Sequence, residues 1–217
     1  MRLMNSSSLT SPRFRGRALR EIDFTEHSAS LRIGKFRACD FFGDGSFYLL
    51  DTPGHDVGHL AGLARTTTNP DTFIFMGGDI CHHAGALRPT PCLPIPDGVQ
   101  FPLPESIRSR VSVCPGAAQF HQINIQGGRK PNQPFFDPGL TVDMAQAVQT
   151  IEDSQSADSQ SNIFCILAHD STIEESVEFF PQPANEWKEK GWKEKTLWKF
   201  LGHLALAASK ENVGDSS

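Results

Sequence analysis

No apolar run in the 217 residues approaches the roughly 18 needed to span a bilayer, the longest candidates being short pieces such as Phe164 to Ala168. A transmembrane helix is therefore not expected, and the chain reads as soluble. Positive charge is not concentrated either: 20 Lys and Arg are scattered along the chain against 25 Asp and Glu, leaving a net charge of −5. A nucleic-acid partner would need a basic patch, and none is legible. Cysteine is sparse and odd in number, with Cys39, Cys81, Cys92, Cys114 and Cys165 standing far apart and no C-x-x-C pair. That excludes a dense disulfide framework and predicts buried, reduced thiols in an intracellular, cytoplasmic protein. The opening MRLMNSSSLTSPRFRGRALR has no apolar stretch and so is not a secretory signal, although it is rich in Ser and Arg with no acid before Glu21, as transit peptides are. No internal repeat is visible. A small-molecule or protein partner remains.

With 38% hydrophobic and 21% charged residues, the length suits one globular domain with a sizeable core. Residues 31–51 read as strands, RIGKFRACDFF and SFYLLD, around a Gly43-Asp44-Gly45 hairpin signal. HLAGLAR and TFIFMGGD read as a second strand pair across the polar TTTNPD, so the strands form a meander. Six prolines between 88 and 104 exclude helix and ladder there, and weakly patterned text continues to about Pro138. Val142, Ala145, Val148 and Ile151 come close to helical spacing, followed by a low-complexity linker, SQSADSQS. NIFCILAHD reads as a buried strand, and Leu197, Leu201, Leu204 and Ala208 mark an amphipathic C-terminal helix beside Trp198. Trp187, Trp192 and Trp198 are expected to pack rather than to form a motif. The mixture predicts an α+β fold or a layered sandwich.

Metal-competent groups stand where strands end. His55 follows LLDTP, Asp79 follows FIFMGG, and His169 follows FCILA. Donors at strand ends are held by the sheet while their tips reach a common edge. Imidazole with carboxylate suits zinc or a related divalent ion. Each group also has a plainer reading: His55 as a turn histidine, Asp79 as a cap, His169 as a loop residue. His82 and His83 follow the same strand end, either as solvated loop residues or as substrate contacts, or even as replacements for a missing ligand. Cys81 reads as a thiolate ligand or, more simply, as a small core residue.

TPGHDVGH, GGD and AHD, in this order and over residues 31 to 170, resemble metal-binding motifs of the metallo-β-lactamase superfamily. The resemblance implies an αββα sandwich, with His55, Asp79 and His169 as metal ligands, Asp79 bridging two ions as the catalytic carboxylate, and His59 orienting them from behind. It also implies a zinc-dependent hydrolase of a small cyclic ester or amide, a lactone or lactam, similar to fungal members that detoxify xenobiotic compounds.

The family's His-x-His-x-Asp-His element, which supplies four of the ligands, has no counterpart among histidines 27, 55, 59, 82, 83, 121, 169 and 203, and only about 50 residues precede His55. The expectation is therefore a C-terminal portion of a family member, incomplete at its N-terminal half. An irregular segment spans 1–30, the partial domain 31–209 and a disordered tail 210–217. Three ligands plus water suffice for a catalytic mononuclear zinc, so one weak site at most is expected. The alternative is a non-catalytic remnant or partner-binding module, oligomeric or covered by a partner on its exposed sheet face.

Overall fold

The computed structural model describes residues 2–4, 19–24, 31–111 and 114–210. Its architecture is mixed α+β. Strands β3 (Arg32–Ile33), β4 (Phe36–Asp40), β5 (Phe47–Asp51), β6 (Leu60–Thr67) and β7 (Thr72–Met76) form an antiparallel meander, and β8 (Ile163–Ile166) adds in parallel to β7, giving a six-stranded sheet in the order β3 to β8. A separate two-stranded ribbon pairs β1 (Arg2–Met4) with β2 (Leu19–Glu21). The long crossover between β7 and β8 carries α1 (Glu105–Arg108), α2 (Ala117–Gln126) and α3 (Met144–Asp158); α4 (Trp192–Thr196) and α5 (Leu201–Lys210) follow. Among the described residues no helix is long and apolar enough to cross a membrane.

Period-2 alternation sets which side chains meet. Ala38 lies opposite Leu50, Leu50 opposite Ala61, Leu63 opposite Phe75 and Phe75 opposite Cys165, and all of these are buried on one face with Phe120, Phe200 and Leu201. On the other face a smaller cluster of Ile74, Phe164, Trp187 and Trp192 covers β7 and β8. Trp187 stacks on Phe164 and donates its Nε1–H to Thr66 Oγ1 at 3.0 Å, so the tryptophans pack as expected.

Four elements differ from the sequence reading. The run RIGKFRACDFF is split by a turn at Gly34, whose φ of 57° favours glycine. The hairpin after β4 is a six-residue loop held by Asp40, whose two carboxylate oxygens accept Gly43 N–H and Gly45 N–H at 2.9 Å each. Helix α2 occupies part of the stretch read as unpatterned. Helix α3 runs on through most of SQSADSQS and buries Ala147, Thr150, Ile151, Ser154 and Asp158, leaving Val148 on its outer side and Val142 exposed ahead of its first turn.

The inward polar residues of α3 each have a partner. Thr150 Oγ1 donates to Pro53 O at 2.7 Å, Ser154 Oγ to Thr150 O at 2.7 Å, and Asp158 takes a two-point ion pair from Arg88 at 2.6 and 2.7 Å. At the other end Asp143 caps the helix by accepting Gln146 N–H at 3.0 Å, and Asp143 N–H and Val142 N–H donate to Gly54 O and His55 O. The helix thus begins against the turn that carries His55.

Gly54 has a φ of 127°, and a Cβ there would lie 2.3 Å from Ala147 N. Gly54→Ala is expected to lower stability by about 2–4 kcal/mol, read as a lower urea midpoint with an unchanged slope; a midpoint within error of the parent would refute this packing. Asp158→Ala leaves the Arg88 guanidinium buried without its carboxylate and is expected to cost about 3–5 kcal/mol by the same measurement.

Candidate functional site

β5, β7 and β8 run in one direction, because β6 is antiparallel to both β5 and β7 and β8 is parallel to β7. Their C-terminal ends therefore lie on one edge of the sheet. His55, Asp79 and His169 leave from these ends, and the edge brings them together. His169 Nε2 lies 2.9 Å from Asp79 Oδ1, and His55 Nε2 lies 4.0 Å from Asp79 Oδ2. A further side chain joins them: His82 Nε2 is 4.0 Å from Asp79 Oδ1, and its ring centroid stands 5.0 Å from that of His55 and 5.1 Å from that of His169. Donor atoms of His55, Asp79 and His82 all lie within 4.8 Å of one another.

His59 stands behind this group. Its Nε2 accepts Asp79 N–H at 3.1 Å, and its Nδ1–H donates to Thr52 O at 2.9 Å, with Thr52 Oγ1 also 3.0 Å away. Accepting at Nε2 while donating at Nδ1 fixes one neutral tautomer. The contact needs Gly78, whose φ is 59° and whose Cβ would lie 3.1 Å from His59 Nε2. His59 thereby fixes the backbone position from which the Asp79 carboxylate projects.

The donor set suits a divalent ion. His55 Nδ1, His82 Nδ1 and Asp79 Oδ1 are buried without a hydrogen-bond partner. Although His169 Nε2 is close to Asp79 Oδ1, the contact is not aligned as a hydrogen bond, so the two groups sit side by side rather than satisfying each other. Unpartnered buried polar atoms cost about 1–3 kcal/mol each, a cost relieved where an ion or ligand meets them. Burial, and then the neighbouring His55 and His169, hold His82 below the ordinary histidine value despite the opposing pull of Asp79. A neutral imidazole is the metal-binding form.

His83 turns away from this group. Its Nδ1 accepts Gly85 N–H at 2.9 Å, capping the short 3-10 helix Ala84–Ala86, and its Nε2 meets His203 Nδ1 at 3.1 Å. Its ring also packs edge-on against Phe136 and Phe200. Burial and His203 lower its pKa, with Asp170 opposing. His203, on α5, was not legible as its partner because the two are joined only through the fold. Asp170 caps the turn after His169 by accepting Thr172 N–H at 3.1 Å. Cys81 is a core residue: burial pushes its thiol up to about 12, so it offers no thiolate. A cavity of about 530 Å³ is lined by Arg129, Pro131, Phe136 and Gln155, and none of the clustered donors lines it.

No family model and no solved structure matches the chain. Curated relatives do. Gamma-lactamase FDB1 of Fusarium pseudograminearum is 44% identical over 193 residues, 87% of this chain and 45% of the relative. Metallo-hydrolase mfmC of Annulohypoxylon moriforme is 43% identical over 194 residues, 88% of this chain and 48% of the relative. Gamma-lactamase MBL2 of Gibberella moniliformis is 44% identical over 153 residues, 69% of this chain and 61% of the relative. The chain thus spans about half the length of the curated relatives it matches.

Thiol accessibility checks the placement of Cys81 beside the site. In the native chain Cys92 and Cys114, both exposed, are expected to react quickly with a thiol reagent, while Cys81 and Cys165 react only after denaturation. Fast labelling of Cys81, located by peptide mass, would contradict its burial.

Proposed function

We propose, from the premise that this chain is a metallo-β-lactamase-like homologue of the gamma-lactamases and the metallo-hydrolase it matches, that it provides the metal-binding edge of a hydrolase acting on a small cyclic amide or ester. The observation that carries the proposal is the gathering of His55, Asp79 and His169 at one edge, with His59 hydrogen-bonded behind Asp79. These residues would hold zinc, His55 and His169 as neutral imidazoles and Asp79 through its carboxylate. A bound divalent ion supplies Lewis acidity and lowers the pKa of a coordinated water.

The chain's own groups supply position. His59 fixes Asp79 through its backbone N–H, and the Thr52 contacts fix His59 in turn. Asp79 is the sole carboxylate in the donor group, so it both neutralises positive charge and offers the acceptor that orients a water proton at Oδ1 or Oδ2. The strand ends limit side-chain wandering, which keeps a carbonyl and an attacking oxygen in a fixed relation. A lactam or lactone fits as substrate class because its reaction centre is one polarised carbonyl, and the lactam is supported by the names of two of the relatives.

A second reading, partner binding without chemistry, is favoured by one observation. On β4, β5 and β6 the face opposite the main core carries Cys39, Phe47, Leu49, Leu60 and Ala64, all half-buried, and among the described residues the Trp187 cluster packs on β7 and β8 and touches β6 at its far end, through Thr66. Such a face suits a covering partner or a second copy.

Zinc content separates the readings. About one zinc per purified chain, lost in the His55→Ala, Asp79→Ala, His169→Ala triple variant, is the expected result, and hydrolysis of a simple lactam or lactone is then assayed on the same samples. Absence of zinc from both proteins would sink the metal-dependent reading. Sedimentation addresses the second reading: self-association or a stable partner complex is expected if the open sheet face is a binding surface, and a monodisperse monomer with full zinc would set that reading aside.

A further inference from the structure

We infer that the cavity between α3 and the loop 129–138 is a binding site for a small carboxylate with an apolar body, separate from the donor group at the sheet edge. The inference stands independently of the metal-dependent reading above.

The cavity, about 530 Å³, falls within the range of small-molecule pockets, about 300–1,000 Å³. One wall is α3, which presents Val148, Ile151 and Gln155 at intervals of three and four residues and so along one stripe of the helix. The other wall is the loop after α2, with Pro131, Pro134 and Phe136. Ile151 also packs into the main core with Phe36, Ala38 and Leu50, so α3 and the cavity beside it lie on the covered side of the sheet, opposite the half-buried face of Phe47 and Leu49.

Both walls are held in place. Asn124, buried on α2, donates from Nδ2 to Pro131 O at 3.1 Å and to Gln133 O at 2.6 Å. Phe135 N–H and Phe136 N–H both donate to Gly85 O, at 2.7 and 3.3 Å. Arg129 meets Asp137 at 2.7 Å and closes the loop on itself. On the far side, α3 is fixed by the Arg88 pair at Asp158 and by the Thr150 bond to Pro53. With neither wall free to collapse, Phe136 stays 39% exposed and Val148 36% exposed. Apolar surface kept open in this way contributes about 25 cal/mol per Å² when a ligand covers it, and a preformed cavity lowers the ordering cost of binding.

The polar groups set the charge of the ligand. Arg129 and Lys130 are consecutive, and both line the cavity. Arg129 uses one nitrogen on Asp137, its other guanidinium N–H groups have no partner among the described residues, and Lys130 Nζ has no ion-pair partner there. Asp137 is 73% exposed, so water shares its charge. The loop wall therefore carries two cations against one acid, whereas the remaining acid of the lining, Glu152, belongs to α3. A carboxylate is drawn to the loop, where charge-assisted hydrogen bonds await it, and is repelled from the helix. Its apolar body then covers Phe136, Val148 and Ile151.

Calorimetric titration of the full chain with sodium phenylacetate, in EDTA so that no metal ion competes for the carboxylate, tests this. One saturable site per chain is expected. Phenylacetamide, the neutral counterpart, is expected to bind at least about 10-fold more weakly, the scale of a hydrogen bond to a charged group, and Arg129→Gln is expected to lose phenylacetate by a similar factor. Val148→Trp, which fills the cavity from the outer side of α3, is expected to abolish binding. The His55→Ala, Asp79→Ala, His169→Ala triple variant is expected to bind like the parent. Absence of saturable binding by the parent would overturn the inference. So would equal affinity for phenylacetamide, parent-like affinity in Arg129→Gln or Val148→Trp, or loss of binding in the triple variant, which would place the ligand at the donor edge. Thermal unfolding controls for folding, and Val148→Phe replaces Val148→Trp if that variant unfolds. Zinc content has no bearing on any of these outcomes, so this inference and the metal-dependent reading fail separately.

Discussion

The buried ion pair between Arg88 and Asp158 sets the position of much of the rest. Both side chains are almost wholly inaccessible, and the guanidinium meets the carboxylate at two points while also donating to Leu197 O at 3.1 Å. Three segments that are distant in sequence are joined there: the loop after β7, the end of α3 and the approach to α5. Burial opposes the charge on Arg88, but Asp158 more than restores it, so the guanidinium stays ionised. Lys193 completes the junction from α4, donating to the carbonyls of Asp158, Gln160 and Ile163 at 2.6 to 2.7 Å and so capping α3 where the chain turns into β8. Burial lowers the Lys193 pKa, and its nearness to Asp158 works the other way. Ion pairs of this kind contribute modest net stability but define one arrangement, since any other leaves a buried charge unpaired.

That junction governs the site indirectly. β8 lies beside β7 in the correct register only if α3 ends where Lys193 and Arg88 hold it, and the register places His169 level with Asp79. At the opposite end of α3, the N-terminal turn leans on Gly54 and receives the carbonyls of Gly54 and His55. One helix therefore braces two of the donor-bearing loops, from opposite ends.

The strands were legible in the sequence because their burial follows a two-residue period, and the meeting of His55, Asp79 and His169 at one edge of the sheet was legible because each follows the end of a strand. What escaped reading was polar. Helix α2 buries Asn124, whose Nδ2 donates to Pro131 O and Gln133 O, in place of an apolar residue that would have completed the pattern. Helix α3 turns Thr150, Ser154 and Asp158 inward, so the stretch looks like a solvated linker until their partners in distant segments are known. His82 and His83 are adjacent and chemically identical, yet one faces Asp79 and the other faces His203. No local signal separates them, because their directions are set by Gly85, Phe136 and α5. Arg88, Asp158 and Lys193 likewise read as ordinary charged residues, since their pairing spans 70 positions in one case and 35 in another.

The antiparallel meander and the single parallel addition of β8 give the donor group an order of assembly. His55, Asp79 and His82 lie on one short stretch of chain, closed by a hairpin and a tight turn, whereas His169 reaches them only after the crossover with its three helices has been threaded and docked. Closing the longer loop carries the larger entropic cost and is the slower event in folding. His55 and Asp79 are thus brought near one another before the last strand docks, whereas the direction of His82 waits on Phe136 and α5, so an ion would meet the whole donor group only in the completed fold.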